Sequence, residues 1–150
     1  MSDISSVINT GFQPVFVDVD LKTMAISYET IKEAINENTK AIVLVHALGF
    51  NGINDKIIEL AKEHDLLLIE DCCEAHGAKY KNKRVGSLSD MSCFSFYFGH
   101  HMTTIEGGMI STDNEEMYEL ARMFRSHGMT REASLDTHLK YAKPDVNPLF

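Results

Sequence analysis

Residues 41–45 read Ala-Ile-Val-Leu-Val, an unbroken apolar and largely β-branched run, and a second such run follows at Leu66, Leu67, Leu68 and Ile69. Between them, residues 55–64 carry Ile57, Ile58, Leu60 and Ala61 at the spacing of one helix face. A connection that long and helical does not make a hairpin; it returns the chain so that the strands lie parallel. Continuous apolar runs also mark strands covered on both faces. The fold class that follows is α/β, a mostly parallel sheet flanked by helices.

Other segments extend this pattern. Residues 14–18 (Pro-Val-Phe-Val-Asp) predict a strand, and residues 28–38 predict a short helix from Ile31, Ala34 and Ile35. Strands are expected at 91–96 and 108–111, with a helix over 114–126 presenting Met117, Leu120, Ala121 and Phe124 on one face. Asn54 or Asp55 would cap the helix at 55–64, and Asp113 or Asn114 the last one, where Glu115 and Glu116 suit the helix dipole. Residues 1–12 show little pattern, 77–90 are rich in turns, and the chain is polar and irregular from His127. It stops at Asn147-Pro148-Leu149-Phe150 with no closing element, so the ending reads as cut.

In open parallel sheets, ligands bind beyond the carboxyl ends of the strands. His46, Asp71 and the loop at His100 all fall at such ends. Asp71 closes an apolar strand, where its carboxylate would be partly desolvated; a ligand contact, a helix cap and a buried ion pair are all open to it. The loop from Tyr97 to Gly107 gathers His100, His101 and Glu106, and histidine is the side chain best suited to moving protons near neutral pH. Phe94, Phe96, Tyr97 and Phe98 read as core, and Gly107-Gly108 as a site of close backbone packing.

Charge and composition exclude several classes. The formal charge is -8, from 14 basic and 22 acidic residues, which argues against nucleic-acid or anionic-membrane partners. The one basic cluster, residues 79–84, reads as a solvated turn. No apolar run has the length of a membrane helix and no signal-peptide pattern opens the chain, which suggests a cytoplasmic protein. Three cysteines without zinc-type spacing read as reduced thiols, and no H-x-x-x-H pair is present, so no metal site is expected. Glu70-Asp71 could end a nucleotide-binding strand, but no G-x-x-x-x-G-K-S/T occurs in the chain.

Five ordered motifs carry a family resemblance: Ile69-Glu70-Asp71-Cys72-Cys73-Glu74-Ala75-His76-Gly77-Ala78, Val85-Gly86-Ser87-Leu88-Ser89-Asp90, Cys93-Phe94-Ser95-Phe96, Glu106-Gly107-Gly108-Met109-Ile110 and Arg125-Ser126-His127-Gly128. Together they closely resemble the sugar aminotransferases of the DegT/DnrJ/EryC1/StrS family. That resemblance implies the large domain of the fold-type I transferases that use pyridoxal phosphate. Residues 1–150 would be part of that domain, without the N-terminal segment that supplies a phosphate-binding turn and without the small C-terminal domain. Asp71 would hold the proton on the cofactor ring nitrogen, Ser95 would bind its phosphate, and Glu74 stands where many relatives have Gln beside the ring.

The family's cofactor-linking lysine lies five residues after the serine of F-S-F, and this chain has His100 there. No lysine occurs between Lys83 and Lys140. In this respect the chain is similar to the 3-dehydratase subgroup, in which histidine replaces lysine. The implied reaction converts the cofactor to pyridoxamine phosphate with glutamate and then removes the hydroxyl at carbon 3 of a nucleotide-linked 4-keto-6-deoxysugar. His100 would be the base, and His101 a packing or hydrogen-bonding neighbour. The implied setting is deoxysugar and O-antigen synthesis by a homodimer. The competing readings are an iron-sulfur-dependent CDP-sugar 3-dehydratase, disfavoured because no cysteine follows Cys93, a nucleotide-sugar aminotransferase, which lacks its lysine here, and a catalytically inert fragment.

Overall fold

The computed structural model describes residues 2–141. Helix α1 (Ser2–Asn9) opens the chain, followed by a small hairpin of β1 (Val19–Asp20) and β2 (Ala25–Ile26), and by α2 (Tyr28–Ala34). Strand β3 (Ala41–Val45), helix α3 (Asp55–Glu63) and β4 (Leu67–Asp71) form the crossover unit that the sequence predicts. A second hairpin, β5 (Lys79–Tyr80) with β6 (Lys83–Arg84), precedes β7 (Met91–Ser95) and β8 (Gly108–Ser111). Helix α4 (Glu115–Arg125) and a short α5 (Leu135–Tyr141) complete the described chain. The residues read as a cut ending, 147–150, lie outside the described residues.

The main sheet has the order β3-β4-β7-β8. β3, β4 and β7 run parallel, and β8 returns antiparallel on β7 because the loop at 96–107 contains no crossover helix. Alternation along the strands sorts the side chains into two sets. Ile42, Leu44, Leu68, Glu70 and Ser92 are buried on one face, where Ile31 of α2 and Ile57, Leu60 and Ala61 of α3 join them in the core. The other face carries Val43, Val45, Ile69, Asp71, Met91, Cys93 and Ser95, none of them fully buried. The expectation of strands covered on both faces therefore holds for only one face within the described residues: Val45 is 39% and Leu67 43% exposed.

Three other local expectations change. Residues 14–18 form no strand, because the segment has no ladder partner among the described residues and Pro14 lacks an N–H; Val15 and Phe16 are exposed. The helix from Tyr28 ends at Ala34 rather than near residue 38, since Ile35 turns extended and Asn36 ties its side chain to the Asn38 N–H at 2.9 Å. Residues 1–12 and the stretch after His127 are more regular than their sequence suggests. α1 places Ile4, Val7 and Ile8 at helical spacing and is closed by the Thr10 hydroxyl on Val7 O (2.8 Å) and by Gly11 at φ +83°. α5 is tied to α4 by bonds from Lys140 and Tyr141 to Glu116 and by the Ser134 N–H on the Glu119 carboxylate at 2.6 Å.

Candidate active site

Three of the four sequence candidates lie at or just beyond the carboxyl ends of the parallel strands. Asp71 is the last residue of β4 and pairs in register with Cys93 of β7, so the two side chains share a face; Ser95, two residues on, shares it too. The Asp71 Oδ1 accepts the Cys73 N–H at 2.9 Å, which fixes the carboxylate and turns the chain out of the sheet. Ser95 Oγ accepts the Tyr97 N–H at 3.2 Å as β7 ends. Glu74 lies exposed on the loop after β4, and its carboxylate accepts the Leu48 N–H at 2.7 Å, holding the turn after β3 where Leu48 has φ +55°.

His100 sits in the loop between β7 and β8. That loop is closed by Phe96 N–H to Gly107 O (2.8 Å) and Thr104 N–H to Phe96 O (3.0 Å). The imidazole makes an edge contact with Tyr97, centroids 5.7 Å apart, and its Nδ1 is buried with no hydrogen-bond partner. A buried ring nitrogen left unpaired is costly unless a ligand completes it. His101 is exposed, and its ring stands edge-on to His76 at 5.9 Å.

Behind this edge a second network is fully buried. Glu70 faces the opposite way from Asp71, into the core. Its carboxylate takes the His46 Nε2–H at 2.8 Å and the Ser89 hydroxyl at 2.7 Å, while His46 Nδ1 accepts the Gly52 N–H at 3.1 Å. That last bond fixes the imidazole tautomer, with the proton on Nε2. Burial pushes the Glu70 carboxyl up, but the bonds from His46, Ser89 and the Gly86 N–H outweigh it and hold the group below the usual glutamate range. The network pins the ends of β3 and β4 and leaves Asp71 free for the other face.

Sequence reasoning did not bring Asp3, His76, Cys73 or Cys93 to this edge. Asp3 of α1 reaches Asp71; burial first, then the Asp71 charge and a hydrogen bond to it, raise the Asp3 carboxyl above its ordinary value. His76 packs between Phe94 and Phe96 at 5.7 and 5.9 Å, with both ring nitrogens buried and unpartnered. Cys73 and Cys93 flank Asp71. Ile4, Val7 and Ile8 could have signalled the helix that carries Asp3; the Cys73–Cys93 pairing depends on strand register and had no signal. A cleft of about 660 Å³ lies between α3, β4 and the β5–β6 hairpin, but its lining includes Asp65, Leu67 and Asp90 toward the amino end of the sheet and none of these residues.

The fold and this edge define a class: an α/β sheet with an acid at one strand end, a hydroxyl at the next, and no crossover helix after the second. Residues 1–142 match the model of the DegT/DnrJ/EryC1/StrS aminotransferase family, and the chain belongs to that family. It is 39% identical over 135 residues to the GDP-4-keto-6-deoxy-D-mannose 3-dehydratase of Escherichia coli O55:H7, covering 90% of this chain and 35% of that protein. It is 40% identical over 129 residues to the GDP-perosamine synthase of Escherichia coli O157:H7, covering 86% and 35%. Its structure superposes with a TM-score of 0.76 on an E. coli GDP-4-keto-6-deoxy-D-mannose-3-dehydratase with bound hydrated PLP, at 42% identity, covering 84% of this chain and 32% of that one. The chain thus spans about a third of the length of the curated relatives it matches. Pyridoxal phosphate is the cofactor of the family's fold, and no helix among the described residues is long and apolar enough to cross a membrane.

Proposed function

We propose that this chain is the cofactor-binding part of a pyridoxal phosphate enzyme that removes the hydroxyl at carbon 3 of a nucleotide-linked 4-keto-6-deoxysugar. The observation that carries the reading is His100 at the position of the family's lysine, in a chain with no lysine from residue 84 to residue 139. The names of the similar proteins support sugar modification in general and include both a dehydratase and an enzyme that makes an amino sugar.

The residues present fit the cofactor, since the Asp71 carboxylate stands at the end of β4 on the sheet face that also carries Ser95, and the His100 Nδ1 is buried without a hydrogen-bond partner. Asp71 would hold that nitrogen's proton, the Ser95 hydroxyl would donate to the phosphate, and Glu74 would border the ring from the turn after β4. When bound, the cofactor supplies an electron sink for charge that develops beside the reacting carbon. His100 takes the proton from that carbon and returns it, which an imidazole does well near neutral pH. Having no primary amine, it forms no covalent link to the cofactor. The balance is one sugar and one glutamate giving the 3-deoxy sugar, 2-oxoglutarate and ammonia; glutamate supplies the two electrons that replace the hydroxyl by hydrogen. The reading extends to a cytoplasmic homodimer serving deoxysugar and O-antigen synthesis.

The test is to incubate the chain with pyridoxal phosphate and glutamate, follow cofactor absorbance, and attempt borohydride trapping. Spectral conversion without a covalent adduct is expected. Trapping at a lysine would overturn the histidine reading in favour of an aminotransferase, and absence of cofactor binding would make the chain inert by itself. With the nucleotide sugar added, mass spectrometry should show a product lighter by one oxygen. In a variant His100→Asn that product should form about a hundredfold or more slowly, the usual worth of a positioned acid-base group.

A further inference from the structure

We propose that Thr104 is a positioning residue for His100, because its hydroxyl bolts the return of the loop that carries the imidazole. Phe96 anchors that return from both sides: its C=O accepts the Thr104 N–H at 3.0 Å, and its N–H bonds Gly107 O at 2.8 Å. Only Ile105 and Glu106 lie between those two bonds. Threonine side chains, and not a strand ladder, hold the backbone there. The Thr104 hydroxyl donates to Glu106 O at 2.8 Å, and the Thr103 hydroxyl accepts the Ile105 N–H at 2.9 Å. Residues 103–107 thus form a clasp closed on Phe96.

Two features show how firmly the clasp is specified. Ile105 has φ +76°, a left-handed conformation that a β-branched residue adopts at a cost, and its side chain is 77% exposed, so packing does not repay it. Strain of that kind persists only where the surroundings dictate it, and it gathers at functional sites. At Gly107 an added Cβ would lie 2.5 Å from Thr104 Oγ1. The hydroxyl fills the room that a side chain at 107 would need, and a larger residue there would push it off Glu106 O. The turn that presents the base lies inside the clasp: the His100 N–H bonds Tyr97 O at 3.0 Å, and the imidazole rests edge-on to the Tyr97 ring. Opening the clasp frees that turn, and catalysis is sensitive to small displacements of a positioned group.

This role rests on the reading of His100 as the base, so one readout is taken without cofactor. In the chain alone, amide exchange of His100 followed by NMR should quicken about fivefold in Thr104→Val, the worth of one neutral hydrogen bond. The Cys72 amide, bonded to Cys93 O in the sheet, should keep its parent rate. Thr104→Ser, which retains the hydroxyl, should restore the parent behaviour. Gly107→Ala should match Thr104→Val, and the double variant should exchange no faster than either, since both remove the same bond. With pyridoxal phosphate, glutamate and the nucleotide sugar present, kcat for the deoxy sugar should fall by about the same factor in Thr104→Val while KM stays unchanged. Unmoved His100 exchange, no rescue by serine, additive effects in the double variant or an unaltered kcat would each overturn the proposal. A parent chain that forms no deoxy sugar fails the functional reading instead, and the exchange rates of the three variants then decide the clasp by themselves.

Discussion

Glu70 and Asp71 are adjacent acids with opposite surroundings, and each predicts a distinct outcome. Glu70 is fully buried and its carboxyl is held low by its hydrogen bonds, so the folded state binds its proton less readily than the unfolded chain. Its stabilisation is therefore present above the unfolded glutamate value of about 4.3 and is lost as pH falls through the lower folded value. Denaturant midpoints measured across acidic pH should show this slope in the parent chain and a flatter one in Glu70→Gln. Replacing His46 by Ala, which strands the buried carboxylate, should cost about 3–5 kcal/mol at neutral pH by the same measurement. Asp71→Asn should instead leave the denaturant midpoint nearly unmoved and weaken pyridoxal phosphate binding, read from cofactor absorbance. The strand-end position of Asp71 was legible in the sequence. That Glu70 faces inward was not, because a continuous apolar run carries no phase, and the Asp3 contact joins residues too far apart in sequence to be inferred.

Between β6 and β7 the chain passes Gly86, at φ +85°, where an added Cβ would lie 2.7 Å from the Phe94 ring and 3.1 Å from Ser92 Oγ. Gly86→Ala should destabilise by about 1–3 kcal/mol from overpacking and backbone strain together, checked by thermal unfolding. Helices α3 and α4 fared well from sequence because their signals are local. Of the two residues offered as cap for each, Asn54 and Asn114 are the ones used, accepting from Ile57 N–H at 3.1 Å and Met117 N–H at 3.0 Å. The strand expected at 14–18 failed for the converse reason: a strand exists only where a neighbour bonds it, and no property of Val15 or Phe16 supplies one. α5 was missed because its apolar residues, Leu135 and Leu139, are exposed and its hold on α4 is polar.

Taken whole, the sheet separates support from chemistry by face. The core face is sealed by α2 and α3, while Val45, Leu67, Met109 and Ile110 remain exposed on the strands. A substitution pair tests that division. Leu44→Ala, at a fully buried position, should cost about 2–5 kcal/mol. Ile110→Lys, at a residue 54% exposed, should change stability by less than about 0.5 kcal/mol while lowering binding of an apolar fluorescent dye. The parallel topology was legible from the crossover pattern; the antiparallel return of β8 and the half-covered sheet were not, because both depend on what the rest of the chain places beside each strand. The opposed acids of β4 carry a last consequence, for tolerance to insertion and deletion. Shifting the strand by one residue would send Asp71 to the core and Glu70 to the open edge, removing the acid from the site and the anchor from the core at one stroke. Residues 67–71 should thus accept several substitutions but no change of length, while the loop at 96–107 absorbs such changes; a library of single-residue deletions scored for soluble folded protein would show that contrast.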